Sequence, residues 1–101
     1  MIRVNITRED DRIRKLTVEG HAEMDDAGKD LVCAGVSSIM YGLCNALDEM
    51  NAGCKIKVGE NRFEIQDPGS SETSKIILST GYYQLKTIEE VYSEFIKITE
   101  V

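Results

Sequence analysis

Leu31-Val32-Cys33-Ala34-Gly35-Val36-Ser37-Ser38-Ile39-Met40, continued by Tyr41-Gly42-Leu43-Cys44-Asn45-Ala46-Leu47-Asp48-Glu49-Met50, is the stretch on which the fold turns. Val36, Met40, Leu43, Leu47 and Met50 recur at intervals of three and four, the spacing of one buried face of an α-helix. Cys33 extends that stripe toward the N-terminus. Asp30 stands where an N-cap is expected, which would make Cys33 the third helical residue, close to backbone N–H groups that have no partner within the helix. Asn51-Ala52-Gly53 supplies a stop, with Gly53 suited to a left-handed closing conformation.

Working outward, the flanks read as strands. Ile2, Val4 and Ile6 alternate with Arg3, Asn5 and Thr7, and Glu9-Asp10-Asp11 provides a polar turn into a second arm over about residues 12 to 21. Without a bulge at Gly20, Leu16 and Val18 share one face and Thr17, Glu19 and His21 the other. Beyond the helix, Cys54, Ile56 and Val58 alternate with Lys55 and Lys57. Gly59-Glu60-Asn61 then turns the chain into a run with Phe63 and Ile65 on one face, a second hairpin. Asp67-Pro68-Gly69 ends it. Ser70 or Ser71 caps a helix carrying Ile77, Leu78, Tyr82 and Leu85, in which Gly81 suggests close packing against a neighbour. Thr87-Ile88-Glu89-Glu90 has capping-box form for one more short helix, and Phe95 to Thr99 reads as a strand or as continued helix. The order β-β-α-β-β-α describes an α+β fold, a two-layer sandwich of antiparallel hairpins packed against helices.

With 101 residues, the chain suits a single domain spanning 1–101 with one modest core. No uninterrupted apolar run approaches the length of a membrane-spanning helix, and Met1-Ile2-Arg3-Val4 has no leader pattern, so a cytoplasmic protein without membrane contact is expected. Eighteen acidic against twelve basic side chains give a net charge of −6. On average that field repels a phosphate backbone and attracts basic partners, so direct nucleic-acid binding is disfavoured.

His21 is the chain's sole histidine, and three cysteines fall at positions 33, 44 and 54. No Cys-x-x-Cys pair is present, and three thiols do not make a disulfide framework. Cys33 and Cys44 lie about 16 Å apart along a helix at about 1.5 Å per residue, too far to share a zinc ion. No metal or other cofactor is expected. Cys44 and Cys54 follow core-facing patterns and read as small buried hydrophobes. Cys33 admits that reading too, but a thiol near a helix start beside an imidazole is the pattern of an activated nucleophile. Asp30 then either caps the helix or steadies a protonated His21, and Ser37, one turn after Cys33, either joins the site or bonds its own backbone. Glu23, Asp25 and Asp26 lack the alternation and closing glutamate of a calcium loop and read as a solvated acidic loop.

Gly20-His21-Ala22, followed at fixed distance by Gly28-Lys29-Asp30-Leu31-Val32-Cys33-Ala34-Gly35-Val36-Ser37, resembles the signature of the ribosomal-processing cysteine proteases, the Prp or YsxB-like family. The resemblance implies a bacterial homodimeric endopeptidase that trims an N-terminal extension from a large-subunit ribosomal protein, the bL27 family, during ribosome assembly. It implies Cys33 as nucleophile and His21 as general base, with Asp30 and Ser37 close by. Leu31 replaces the family's usual isoleucine conservatively, and Met24 stands where an aromatic is common, which bears on loop packing and substrate fit. Gly28 would give the loop over residues 22 to 30 freedom to close over an extended peptide. The rival reading is a non-catalytic acidic module that docks a basic ribosomal or assembly protein. A thiol-transfer role is weaker, since Cys33 has no resolving cysteine near it in sequence.

Overall fold

Alternation along the first eighteen residues produces the frame of the molecule. The computed structural model describes residues 1–20, 27–69 and 71–101, with only the backbone for 27–30. Strands β1 (Ile2–Glu9) and β2 (Arg12–Glu19) pair antiparallel, with Val4 opposite Val18 and Ile6 opposite Leu16, so their apolar sides meet the same core. The register shifts between Thr7 and Arg8, rather than at Gly20. Helix α1 (Ala27–Glu49) follows, then the hairpin β3 (Lys55–Gly59) and β4 (Arg62–Gln66), helix α2 (Glu72–Val91) and strand β5 (Ile96–Glu100). The sheet order is β3-β4-β2-β1-β5, with β5 parallel to β1 and the other pairs antiparallel. The expected two-layer α+β sandwich is therefore present, with β5 added to its edge.

Val32, Val36, Met40, Leu43 and Leu47 of α1 are buried with Ile6, Leu16, Ile65, Leu78 and Leu85 in one core. Met50 departs from the expected stripe. It lies past the end of α1 and is 62% exposed. By length and composition Leu31–Glu49 reaches the range of a membrane-spanning helix, which counting uninterrupted apolar runs missed. Here its apolar face serves the core instead.

Two further features differ from the sequence reading, and an alternative it left open is resolved. α1 starts at Ala27, so Asp30 lies in its first turn and not at its cap, where a negative charge still suits the helix dipole. The apolar stripe marks where a helix first meets the core, not where it begins. No break separates a third helix at Thr87, because α2 runs on to Val91 and the Thr87 hydroxyl donates to the Tyr83 carbonyl inside it. Of the two readings of Phe95 to Thr99 the strand holds, as β5 over Ile96–Glu100, because β1 offers its free edge and Glu89 accepts the Ile98 N–H at 2.6 Å.

At the start of α2, Ser71 caps the helix by accepting from the Ser74 N–H. Ser70 lies outside the described residues. Arg12 of β2 donates to the buried Asp67 carboxylate and to the Ser74 hydroxyl, tying this helix start to the sheet. Gly81 performs the close packing anticipated for it, since a Cβ there would drive into the Leu43 side chain of α1.

Two outcomes follow from these contacts. Gly81→Ala should lower unfolding free energy by about 1–3 kcal/mol, the usual cost of overpacking, measured by urea denaturation; an unchanged midpoint would contradict the packing account. Burial raises the Glu89 pKa, but the Lys86 ammonium and the Ile98 N–H outweigh it and leave it lowered from 4.5. A carboxylate depressed in the folded state contributes stability above its unfolded pKa and loses it as pH falls through the folded value. Tm should therefore drop more steeply below 4.5 in the parent than in Glu89→Gln, as scanned by circular dichroism.

Candidate active site

The end of β2 is held by backbone geometry. Gly20 adopts φ +88°, and a Cβ at that position would sit 2.7 Å from the Met1 carbonyl oxygen. Its N–H donates to the Asn61 carbonyl at 3.2 Å, linking β2 to the β3–β4 turn, where Asn61 itself has φ +58°. Only glycine fits this conformation and this approach without strain. The alternation of β2 therefore stops at Glu19. His21, the acidic residues Glu23, Asp25 and Asp26, and Met24 lie outside the described residues.

Facing this strand end is the second turn of α1. Cys33 and Ser37, four residues apart on one helix face, line a cavity of about 150 Å³ together with Gly20, Asn61 and the apolar side chains Ile2, Val18, Val36 and Phe63. Cys33 is half-buried there, reachable from the cavity and backed by the core. Because α1 begins at Ala27, Cys33 is its seventh residue instead of the third expected, and its amide lies inside the helical ladder. Gly28, expected within a closing loop, belongs to the first turn of the helix. The side chain of Asp30 lies outside the described residues.

The other two thiols differ. Cys44 is buried, and burial pushes its pKa up. Cys54 is pushed up to about 11, first by burial and then by the charge and hydrogen bond of Asp67. Both are held as neutral thiols near pH 7, in keeping with packing roles.

Asn61 and Phe63 were not singled out as site residues. They reach the cavity only because β4 pairs with β2 across non-consecutive sequence, and no local pattern carries that pairing. Phe63 also packs against Tyr41 with the rings near perpendicular and their centroids 4.9 Å apart.

A thiol and a hydroxyl in an apolar-walled cavity suit nucleophilic attack on a bound chain. Residues 1–97 match the family model for the cysteine protease Prp. The chain belongs to the Prp cysteine protease family. It is 33% identical to the ribosomal processing cysteine protease Prp of Staphylococcus aureus over 97% of both chains. It is 31% identical to the Bacillus subtilis Prp, covering 98% of this chain and 96% of that one. Crystal structures of S. aureus Prp superpose with TM-scores of 0.90 and 0.86 at 31% and 30% identity over the full length of both chains. The first holds a covalently linked product peptide and the second a substrate peptide. Membership makes this Prp-family chain a cysteine protease.

Iodoacetamide at near-neutral pH should accordingly label Cys33 first, with Cys54 and Cys44 reacting at least about tenfold more slowly, followed by peptide mass spectrometry. Equal labelling of the three would contradict the site. Gly20→Ala should cost about 1–3 kcal/mol in stability through backbone strain, measured by thermal or urea unfolding.

Proposed function

We propose that this chain is an endopeptidase that removes an N-terminal extension from a large-subunit ribosomal protein of the bL27 family, acting in the cytoplasm as a homodimer. The observation that carries the reading is the match of nearly the whole chain to Prp, together with Cys33 lining a cavity shared with the end of β2. His21 follows directly on Gly20, which lines that same cavity, and this supports its role as the base for Cys33.

In this reading His21 takes the Cys33 proton, the sulfur attacks the scissile carbonyl, and a tetrahedral oxyanion forms. The C–N bond then breaks, His21 returns the proton to the departing amine, and a thioester remains on Cys33. Water attacks the thioester with His21 again as base, releasing the extension as a carboxylic acid and regenerating the thiol. The helix-start N–H groups lie in the first turn, before Cys33, so the oxyanion is better served by donors that line the cavity, such as the Ser37 hydroxyl or the Asn61 amide. Asp30 is assigned to orient His21. The net charge of −6 favours capture of a basic segment.

Cleavage of an extension peptide should fall by at least about a thousandfold in Cys33→Ala and in His21→Ala, with folding checked by circular dichroism. The pH dependence of kcat/KM should report a group titrating between about 5 and 8, absent from the residual activity of His21→Ala. Retained cleavage in Cys33→Ala would overturn the assignment, and peptide binding without cleavage in the parent would favour a docking module.

A further inference from the structure

The charge of −6 is not spread evenly. The face of the sheet turned away from the helices holds Arg3, Lys15, Lys55, Lys57, Arg62 and Lys97, set in rows by the strand registers. Half of the chain's twelve basic side chains thus share one face, and among the described residues the carboxylates beside them are Glu19, Glu64 and, paired with Arg14 at the bulged end, Glu9. Arg62 engages both carboxylates and Lys15 also faces Glu64, leaving Arg3, Lys55, Lys57 and Lys97 with no ion pair among the described residues. At one end of this face, Arg14, Lys15 and Lys55 surround a cavity of about 290 Å³, whose carboxylate, Asp67, is already held by Arg12 and the Gly69 N–H.

We propose that this open sheet face is an RNA-binding surface that grips the phosphate backbone without reading its sequence. Neighbouring strands lie about 4.8 Å apart, so Arg3, Lys55, Lys57 and Lys97 together span nearly the full width of the sheet, about 19 Å from β3 to β5. Most of the other acidic side chains among the described residues lie on the helices and turns, and screening with a Debye length of about 8 Å at physiological salt weakens their field at the open face. A polyanion therefore meets the local positive field rather than the chain's average.

The composition of the face decides between partners. The strand residues that point outward are charged or polar, while Phe63, Ile65, Val4 and Ile6 all point to the core. A protein partner would need an apolar centre to its interface, whereas nucleic-acid interfaces are polar, basic and hydrated. Without an aromatic platform, bases have nothing to stack on, so the contacts fall on phosphate. Row-end residues Glu19 and Arg62 are next in sequence to Gly20 and Asn61 of the cavity, so RNA held here lies at the border of the peptide site.

The test is fluorescence anisotropy of the full chain with labelled poly(U) of about 20 nucleotides across a salt series, with no peptide present. We expect affinity at low salt with a log–log salt slope near −3, about −0.7 for each of four neutralised phosphates. Lys55→Glu/Lys57→Glu and Arg3→Glu/Lys97→Glu should each weaken binding by roughly tenfold or more and flatten the slope by more than about 1. Lys75→Glu, an exposed reversal on α2, should change affinity by less than about twofold, and peptide cleavage should persist in all three. No binding at low salt, equal loss in Lys75→Glu, or equal affinity for poly-glutamate would overturn the assignment. Loss of cleavage with RNA binding intact would instead bear on the protease reading alone.

Discussion

The close approach of Gly20 to the Met1 carbonyl is the constraint on which the site depends. It lets the end of β2 pass against the start of β1 with φ +88°, and the Gly20 N–H then locks to the Asn61 carbonyl of the neighbouring turn. Three chain segments distant in sequence are thereby joined at one corner of the sheet. Helix α1, seated by its Val32-to-Leu47 stripe, lays Cys33 and Ser37 over that corner. The cavity and the place of the thiol in it follow from this local geometry. A side chain at position 20 would open the corner before it touched the chemistry.

Stability and chemistry are kept apart elsewhere in the molecule. Arg12, Asp67 and Ser74 form a buried polar cluster at the start of α2, and Glu89 tethers β5 through the Ile98 N–H. Neither lies at the Cys33 cavity. Burial pushes the Cys44 and Cys54 thiols up, in Cys54 with help from Asp67, whereas Cys33 lines the cavity beside the Ser37 hydroxyl. The two faces of the sheet are divided in the same way: one is apolar and closed by helices, the other polar and open.

Much of this was legible in the residues. Strict alternation in Ile2-Val4-Ile6 and Leu16-Val18 reports burial of one sheet face, and the three-and-four spacing from Val36 to Leu47 reports one buried helix face, because each period is a direct consequence of backbone geometry. The start of α1 was not, since Ala27 to Asp30 precede the first core contact and leave no apolar trace. Thr87 looked like a cap because a threonine three residues before a glutamate is chemically able to cap. In the fold it bonds back to Tyr83 while the helix continues. The roles of Asn61 and Phe63 depend on the pairing of β4 with β2, a long-range choice that no local spacing encodes. The motif joining His21 to Cys33 was legible as a resemblance, and the family match across residues 1–97 agrees with it.

The central claim is that Cys33 is the sulfur that attacks the peptide. The most direct measurement uses an extension peptide ending in a vinyl sulfone at the scissile position, which captures an attacking thiolate by forming a carbon–sulfur bond, followed by digestion and tandem mass spectrometry. The account predicts a single stoichiometric adduct on Cys33, lost in His21→Ala at near-neutral pH and absent from Cys44 and Cys54. An adduct carried by Cys44 or Cys54, or cleavage of the parent peptide by a chain whose Cys33 stays unmodified, would contradict it.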